Sequence, residues 1–506
     1  MIMMKRTLLI GSLFLTLAFK ADIQQAGEPG LVSVTLDGQI KYNPDKKGNI
    51  IPDFSRVGYH QGDKEIPDVK AVRTVSANLN GNSDQVIQQA IDEVSKMPLN
   101  KDGLRGAILL KKGTYKIAGN IKINQSGIVL RGEGDNASGT KLVALGKDKR
   151  NLVEISGTGS LMEIKNSRIK ITDAFVPVGA TSFKVKSAEG FKPGDAIVLF
   201  RPGTAEWIKD IQMDKIEARQ GTKQWQPKEY DLHFERKITK VEGNKITIDC
   251  PVVMQMEQQY GGGEIYKSSF AGRISEVGIE NILFESEYAN DTDEDHSWIA
   301  VEFNKAENCW ARNLTSKYFA YACVSLEQGA KNITVKDSKC FDAKSVITGG
   351  RRYSFNNDGQ QNLFMNLETT EGRHDYVTGA KTLGPNVFYN CKASNTHADI
   401  GPHHRWAVGT LFDNVTTDGE INIQDRGNWG SGHGWAGVTQ ILWNCKVKRA
   451  AVQSPWASGL NYSIGTKGEK YDGRFSGRPD GVWENQNKED LNPKSLYMAQ
   501  LKSRKK

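Results

Sequence analysis

The 506-residue sequence lacks the features that mark several common protein classes. Beyond its N-terminus it has no apolar run long enough to span a membrane. Apart from the last few residues it has no run of Lys and Arg of the kind that binds nucleic acid, so we expect no nucleic-acid partner. Only 15 residues are proline against 51 glycines, a mixture that suits many tight turns better than disorder. The net charge of +8 fits either ordinary solubility or attraction to an anionic polymer.

The N-terminus has the shape of an export signal. Lys5 and Arg6 precede a short apolar stretch that runs from Thr7 to Phe19. Such a stretch is too short to span a bilayer but is typical of a secretory signal peptide. We therefore expect a signal peptide over residues 1–21 and a secreted or periplasmic protein.

A short phrase, a polar pair followed by an apolar residue, recurs in the second half of the chain. Its apolar residues are Ile282, Cys309, Ile333, Leu363, Val387, Leu411 and Ile441, and they follow one another at steps of 24, 27 or 30 residues. Short strands at such a period, with no helical stretch between them, predict the coils of a parallel β-helix. The Asn that often precedes the apolar residue can hydrogen-bond along the helix axis.

The six cysteines follow the same repeat. Cys391 and Cys445 occupy equivalent positions two coils apart, and Cys309 takes the place that Ile282 and Ile333 hold in other coils. Although an exported protein invites a disulfide interpretation, this placement favours small buried apolar side chains. We therefore predict free cysteines inside the solenoid.

The rest of the chain divides around this solenoid. Ser83 and Asp84 precede a helical apolar pattern that ends before Pro98, and such a helix would close the open end of the core. Residues 22–173 would hold an N-terminal segment, this capping helix and the first coils. Residues 174–265 lose the period and predict a small antiparallel β insertion. Residues 266–465 would form the main coils, and residues 466–506 an irregular tail.

Chemically active side chains crowd into one window. Five of the eight histidines lie between residues 374 and 433, namely His374, His397, His403, His404 and His433. Asp, Arg and Trp residues share the window, whereas a merely solvated face would favour Lys, Glu and Ser. The repeat register places Arg351, Asp375 and Asp399 in one candidate vertical row, and Lys381 and Arg405 in a stacked cationic pair. We predict a functional face here, between Arg351 and His433.

The opening coils resemble a known superfamily. The segments 106–115, 121–123 and 128–134 read Gly-Ala-Ile-Leu-Leu-Lys-Lys-Gly-Thr-Tyr, Ile-Lys-Ile and Ile-Val-Leu-Arg-Gly-Glu-Gly. Together they resemble the start of pectate-lyase-like right-handed parallel β-helix proteins, and later phrases such as Gly432-His433-Gly434-Trp435-Ala436 resemble a bacterial secreted subgroup. The resemblance covers most of residues 70–465. It implies an all-β, right-handed parallel β-helix solenoid that acts on polysaccharides, where lyases use Arg or Lys as the base, often with calcium.

We combine the resemblance with the crowded window as follows. The residues expected to act in catalysis are His374, Asp375, Tyr376, Lys381, Asp399, His403 and Arg405. The residues expected to bind substrate are Arg351, Arg352, Arg373, His404, Trp406, Asp425, Arg426, His433 and Trp435. The leading hypothesis is a lyase in which cations neutralise a uronate and His or Tyr moves protons. The expected partner is an anionic polysaccharide, bound by a monomer.

Several alternatives stay open at this point. Asp375 and Asp399 would serve as the carboxylate pair of a glycoside hydrolase, or as a polar ladder without a catalytic role. A non-catalytic glycan-binding solenoid is a third interpretation. The acidic loop of Asp291, Asp293, Glu294 and Asp295 could hold calcium or be a solvated loop. His403 and His404 have no third ligand at zinc-like spacing, so the metal stays unknown.

Overall fold

The computed structural model describes residues 30–35, 37–77 and 81–505. The predicted signal peptide, residues 1–21, lies outside these described residues. In the described ranges no helix is long and apolar enough to cross a membrane.

The described chain starts with a hairpin and a capping helix. Strands β1 (Val32–Val34) and β2 (Ile40–Tyr42) pair antiparallel, a 3-10 turn covers Tyr59–Gly62, and β3 (Ala71–Val75) precedes α1 (Asp84–Ser95). The apolar face of α1, which includes Ile87 and Ile91, is buried against the first coils and closes the end of the core. Ser83 holds the N-cap position, but its side chain makes no capping hydrogen bond.

The first coils lie directly after this helix. Their strands are β4 (Gly106–Leu110), β5 (Gly113–Ile117), β6 (Ile121–Ile123), β7 (Ile128–Gly134), β8 (Thr140–Ala144) and β9 (Asn151–Ser156). Strand β4 pairs in parallel with β7, β5 with β8 and β6 with β9, so each coil stacks on the one before it.

An antiparallel insertion interrupts the coils. It contains β10 (Met162–Glu163), β11 (Ile169–Lys170), β12 (Phe175–Val176), β13 (Ser182–Lys184), β14 (Ala196–Arg201), α2 (Ala205–Asp210), β15 (Leu232–Glu242), β16 (Lys245–Ile248), β17 (Met256–Glu257), a 3-10 turn at Gln258–Tyr260 and β18 (Glu264–Ser269). Because Met162 pairs with Ser269, the insertion is wider at both ends than the predicted residues 174–265.

The main coils follow the insertion. The first of their strands are β19 (Ile274–Ser275), β20 (Gly278–Ser286), β21 (Ile299–Asn304), β22 (Ala306–Glu307), β23 (Trp310–Lys317), β24 (Ala322–Leu326), β25 (Thr334–Lys336), β26 (Lys339–Phe341), β27 (Phe355–Asn357), β28 (Leu363–Met365), β29 (Glu368–Thr370) and β30 (Tyr376–Thr378). The remainder are β31 (Leu383–Tyr389), β32 (Lys392–Ser394), β33 (Asp399–Pro402), β34 (Ala407–Asp413), β35 (Thr416–Thr417), β36 (Glu420–Ile423), β37 (Gly437–Val438), β38 (Ile441–Trp443), β39 (Lys446–Val452), β40 (Tyr462–Ile464), β41 (Lys467–Lys470) and β42 (Val482–Glu484).

The pairing of these strands confirms a right-handed parallel β-helix. Twenty-nine strands join into one network in which neighbouring coils pair in parallel. Leu363 pairs with Val387, Val387 with Leu411, and Leu411 with Ile441, as the repeat predicts. One coil earlier the register slips by a residue, because Thr334 and not Ile333 pairs with Leu363.

Stacked side chains run along the axis both outside and inside the coils. The Oδ1 atom of Asn386 accepts the Asn362 N–H at 2.8 Å, and Oδ1 of Asn362 accepts the Ile333 N–H at 2.9 Å. Inside, Phe388 and Phe412 stack with ring centroids 5.4 Å apart. All six cysteines are buried and free, as predicted.

The C-terminal residues extend and close the structure. The tail predicted to be irregular adds strands β41 and β42 and ends in α3 (Leu496–Lys505). Leu496, Tyr497 and Gln500 of α3 are buried. The Gln500 side chain accepts the Phe54 N–H at 2.9 Å, so the two ends of the described chain are tied together.

Candidate functional site

Four histidines from three coils form one cluster. His374 directly precedes β30, His403 and His404 follow β33, and His433 ends the loop before β37. We call these four residues the histidine cluster. The ring centroids of His374 and His403 lie 4.5 Å apart, those of His403 and His433 5.2 Å, and those of His404 and His433 4.9 Å. The structure therefore brings together four of the five histidines that the sequence crowds into one window.

Backbone hydrogen bonds between coils hold the cluster in place. The His403 N–H donates to the Thr378 carbonyl at 2.8 Å, and the Arg405 N–H donates to the His433 carbonyl at 3.1 Å. The loop that carries His433 packs tightly on the insertion at Gly434, whose φ is +57°. A Cβ there would lie 2.8 Å from the Trp225 ring, so glycine is needed for this approach.

Most ring nitrogens of the cluster have no hydrogen-bond partner. The Nδ1 atoms of His403, His404 and His433 are buried and unpaired among the described residues. The Nδ1 atom of His374 lies 2.5 Å from the Asp399 carbonyl oxygen and donates to it, which leaves its buried Nε2 as an unpaired acceptor. Native structures leave few buried polar atoms unpaired, so this concentration indicates a site that awaits a ligand.

The surroundings keep these imidazoles neutral. Burial lowers the pKa of His374 to about 4, and the nearby Arg373 and Arg426 lower it further, against the raising effect of Asp399. Burial followed by Arg405 and Arg426 lowers the pKa of His404 to about 4. Burial also lowers the pKa of His433, to about 3, and that of His403 strongly. At neutral pH the cluster therefore presents unprotonated nitrogens that can accept a proton.

Asp399 and Arg426 flank the cluster as a buried ion pair. The Arg426 guanidinium donates to the Asp399 carboxylate, whose other oxygen lies 3.4 Å from Nδ1 of His374. Burial raises the pKa of Asp399, but Arg426 and His374 outweigh that effect and hold it below its usual value. Asp399 is therefore a charged group that orients His374, with Arg426 beside it.

Three further cations near the cluster have no carboxylate partner among the described residues. Nζ of Lys381 donates to the Glu229 carbonyl at 2.8 Å, and Arg405 donates to the Ser431 carbonyl at 3.2 Å. Arg373 donates to the Gly349 carbonyl at 2.5 Å. Because none forms an ion pair, their charges remain available to an anion.

Tyr353 belongs to the site although the sequence gave no reason to include it. Its ring centroid lies 5.0 Å from that of His374 and 5.5 Å from that of His403. Burial raises its pKa, so the phenol stays protonated. Its position in a coil with a long insertion hid its place in the repeat.

Asp375 and Tyr376, predicted to be catalytic, lie inside the solenoid instead. The Tyr376 hydroxyl donates to the Leu367 and Lys392 carbonyls, and its ring stacks on Phe355 in the core. Asp375 is fully buried, accepts a hydrogen bond from Ser354 at 3.0 Å, and has its pKa raised to about 6 by burial. The chain turns just before β30, which directs both side chains inward and away from the cluster.

The predicted vertical row is corrected by the strand register. Phe355 pairs with Tyr376, so Ser354 and not Arg351 lies level with Asp375. Arg351 instead forms a two-bond ion pair with Glu294, at 2.6 and 2.8 Å. Arg352 is buried and donates to the Ser345 carbonyl at 2.6 Å. Both arginines are therefore already engaged with other parts of the protein.

Trp406 and Trp435, predicted to bind sugar, are wholly buried against the insertion. The Trp406 ring lies 4.8 Å from that of Trp207, and Nε1 of Trp435 donates to the Ile211 carbonyl at 3.0 Å. Neither indole can stack on a sugar. Trp429, in the same window, is partly exposed and lies under the Arg474 guanidinium at 4.2 Å.

Two other residues of the predicted window make contacts of their own. Asp425 is buried and accepts from Nε of Arg478 at 2.8 Å. His397 pairs with Glu371 at 2.7 Å and stands outside the histidine cluster. Asp425 therefore has a positioning role in its loop.

A row of carboxylates that sequence reasoning missed lies on the coils below the cluster. Burial followed by the charge of Glu327 raises the pKa of Asp358 to about 6. Burial, Glu327 and Glu154 raise the pKa of Glu302 to about 7. Asp358 and Glu327 both lie close enough to Tyr321 to raise its pKa after burial has done so. The coils differ in length here, so no constant spacing marks the row in the sequence.

The loop considered for calcium uses its carboxylates in other ways. Asp291 pairs with Lys344 at 2.8 Å, Glu294 pairs with Arg351, and Asp293 accepts backbone N–H groups. Within residues 30–35, 37–77 and 81–505, no group of three or more His, Cys, Asp or Glu is arranged to hold a metal ion. The residues present thus do not fit the calcium site that the resemblance implies.

Two surface pockets border the cluster. The first, about 450 Å³, lies between the insertion and the coils and is lined by Lys223, Glu229, Lys381 and Arg405 among others. We call it the insertion-side pocket. The second, about 570 Å³, includes Asp399, Trp429, Lys448 and Arg474 in its lining. We call it the tryptophan-side pocket.

Sequence comparison with protein-family models and with curated proteins gives no match. Among solved structures the chain is similar to Geobacillus virus E2 ORF18 (13% identity, TM-score 0.39), with 82% of this chain covering 59% of that one. It is also similar to an alginate lyase from Paenibacillus sp. str. FPU-7 (10%, 0.40, covering 82% and 100%) and to a polygalacturonase from Erwinia carotovora ssp. carotovora (10%, 0.38, covering 85% and 99%). The chain thus spans less than two thirds of the viral protein, and likenesses this distant do not bear on its activity.

Proposed function

We propose that this protein is a polysaccharide lyase that cleaves a uronate-containing polysaccharide by β-elimination. The observation that carries the proposal is one place where neutral imidazoles lie beside unpaired cations. His403, His404 and His433 have lowered pKa values, and Arg405 follows His404 directly in the chain.

The reaction needs both kinds of group. A cation beside the uronate carboxylate makes the C5 proton more acidic, and a neutral imidazole removes that proton. The electron pair of the broken C5–H bond forms the C4=C5 double bond, and the C4–O bond breaks. The leaving oxygen then takes a proton from an acid. The products are a new reducing end and an unsaturated sugar.

The geometry suggests which residue takes each role. His403 lies at the centre of the cluster and is half-buried, so it is the candidate base. Lys381, Arg405 and Arg373 are the candidates for neutralising the carboxylate. Tyr353 keeps its proton because burial raises its pKa, and it is the candidate acid. Asp399 orients His374 and holds Arg426.

Incubation with a panel of uronate polymers tests the proposal. We expect ultraviolet absorbance from the conjugated product and oligosaccharides one water lighter than hydrolysis products. His403→Asn should abolish this activity, whereas His397→Asn, outside the cluster, should retain it. Cleavage without unsaturation, or equal activity in both variants, would contradict the lyase reaction. Binding without any product would favour the non-catalytic solenoid.

A glycoside hydrolase is the second candidate, on the strength of one observation. Glu327 and Asp358 carry different proton loads, since burial and the charge of Glu327 raise the pKa of Asp358. Two neighbouring carboxyl groups with separated pKa values suit an acid and its charged partner. This pair replaces Asp375 and Asp399, because Asp375 lies inside the core. Asp358→Asn should then abolish the release of saturated sugars.

We further propose that the protein is exported and acts as a monomer. The basis is the cationic and apolar N-terminus described above. N-terminal sequencing of protein recovered outside the cytoplasm should find cleavage near residue 21, and light scattering should give the mass of one chain. A mature protein that retains residue 1 would contradict export by this signal.

A further inference from the structure

The two pockets lie at opposite ends of strand β33, with the histidine cluster between them. Asp399, the first residue of β33, lines the tryptophan-side pocket. Arg405, three residues beyond the end of β33, lines the insertion-side pocket. His403 and His404 lie between that strand end and Arg405. A polymer that passes over the cluster along β33 would therefore enter both pockets.

The insertion-side pocket carries excess positive charge. Lys223, Lys381 and Arg405 line it against one carboxylate, Glu229. Lys381 and Arg405 lie on successive coils, because the Lys381 N–H donates to the Arg405 carbonyl at 2.9 Å. Both have left-handed backbones, with φ of 53° and 54°, which is uncommon for long side chains and is often found at binding sites. Two like charges held together without a counter-ion favour an anion between them.

The tryptophan-side pocket is different in shape but similar in charge. Its carboxylates are already engaged, since Glu420 pairs with Arg449 at 2.5 Å and Asp418 accepts the Asn395 N–H at 2.6 Å. In contrast, Lys448 and Arg474 have no carboxylate partner among the described residues. Arg474 lies over the ring of Trp429, which is partly exposed. An apolar ring beside free cations suits a sugar that carries a carboxylate.

We propose that each pocket binds the carboxylate of one uronate, on either side of the bond that is cleaved. The substrate is then a run of consecutive uronates and not a chain in which uronates alternate with neutral sugars. Because both sides of the bond are held, cleavage occurs inside the chain. This inference rests on the proposed lyase function and assigns the substrate class of that same site.

A matched pair of lysines tests the tryptophan-side pocket. Lys446 and Lys448 are both exposed on β39, but only Lys448 lines the pocket. We expect Lys448→Gln and Arg474→Gln each to raise KM for a polyuronate about tenfold with little change in kcat, the size expected for losing a hydrogen bond to a charged group. Lys446→Gln should behave as the wild type. Lys381→Gln should weaken binding on the insertion side.

The substrates complete the test. A homopolymeric uronate should be cleaved to a mixture of internal fragments, whereas an alternating uronate and neutral-sugar polymer should be cleaved much more slowly. Equal rates on both polymers, release of single end sugars, or unchanged KM in Lys448→Gln and Arg474→Gln would overturn the inference while leaving the lyase standing.

Failure of the lyase itself is read separately. If no uronate polymer yields an unsaturated product, titration calorimetry of a size-defined oligouronate into the wild type and these variants still reports the pockets. Weaker binding in Lys448→Gln but not in Lys446→Gln supports the two carboxylate sites without catalysis, and equal binding in both overturns them.

Discussion

The chemical character of the site comes from how little water and how few partners its histidines have. His374 is 2% exposed and lies beside the buried Arg426, whose side chain is also 2% exposed. In such surroundings the charged imidazolium is doubly disfavoured, by burial and by like charge. Neutral nitrogens therefore persist well into acid solution.

This state predicts an unusual pH dependence of activity. The pKa of His404 falls from 6.5 to about 4, and those of His403 and His433 fall further. Because a lowered pKa means that the base is lost only at low pH, kcat/KM should stay constant down to pH 6 and decline well below pH 6.5. Steady-state rates between pH 4 and pH 9 measure this. An acid limb centred near 6.5 would instead point to an exposed histidine such as His397.

A second prediction separates the two carboxylates that the sequence placed together. Burial raises the pKa of Asp375 from 3.8 to about 6, so its contribution to stability is present below pH 3.8 and is lost as the pH rises through 6. The loss amounts to about 3 kcal/mol at most. Asp375→Asn should remove this dependence and retain activity. Asp399→Asn should lose activity, because Arg426 and His374 lose their charged partner.

Denaturant unfolding at pH 4 and pH 7 checks the first variant, and rates with uronate polymer check both. If Asp375→Asn were inactive while still folded, Asp375 would have a role in catalysis after all.

At the same scale, sequence reasoning located the histidine cluster but not the direction of each side chain. Crowding of histidines is visible in a linear sequence. The inward turn at Asp375 and Tyr376 is not, because strict alternation fails where a coil changes direction. Asn and Lys in left-handed turns, such as Asn390 and Lys381, shift the count by a residue without leaving a compositional mark.

The insertion shows how an element can reverse the meaning of a residue. Trp406 and Trp435 occupy the window of the site, yet they join Trp207 and Trp225 in the core that fixes the insertion to the coils. A tryptophan at a coil edge suits a sugar or a packed neighbour equally well. Only the docking of a segment nearly 200 residues away decides between them, and the repeat carries no information about it.

A third prediction follows for this contact. Trp406→Ala should lower the free energy of unfolding by about 3–5 kcal/mol, since it empties a fully buried site. It should also expose the insertion to limited proteolysis and abolish activity, because the insertion-side pocket needs both partners. Trp429→Ala, at a partly exposed ring, should keep the melting temperature and weaken polymer binding. Equal thermal unfolding of both variants would show that the insertion docks without Trp406.

Over the whole molecule, the period of the strands made the solenoid predictable while their bounds were not. Each coil contacts only its neighbours, so a recurring apolar position is enough to predict the stack. The closing contacts are different. Helix α3 holds the N-terminal segment through Gln500, which accepts from Phe54 more than 400 residues away, and no local pattern predicts such a partner.

The cysteines give the last prediction, because their chemistry reports on the whole solenoid. All six lie in described residues, are buried and are free. Burial raises the pKa of Cys250 and of Cys445 to about 12, so the reactive thiolate is nearly absent in the folded protein. Native protein treated with iodoacetamide should gain no mass, whereas denatured protein without reductant should gain six alkyl groups. The melting temperature should be the same with and without a reducing agent. Fewer than six additions in denaturant would reveal a bridge, and labelling of the native protein would show that the coils open without global unfolding.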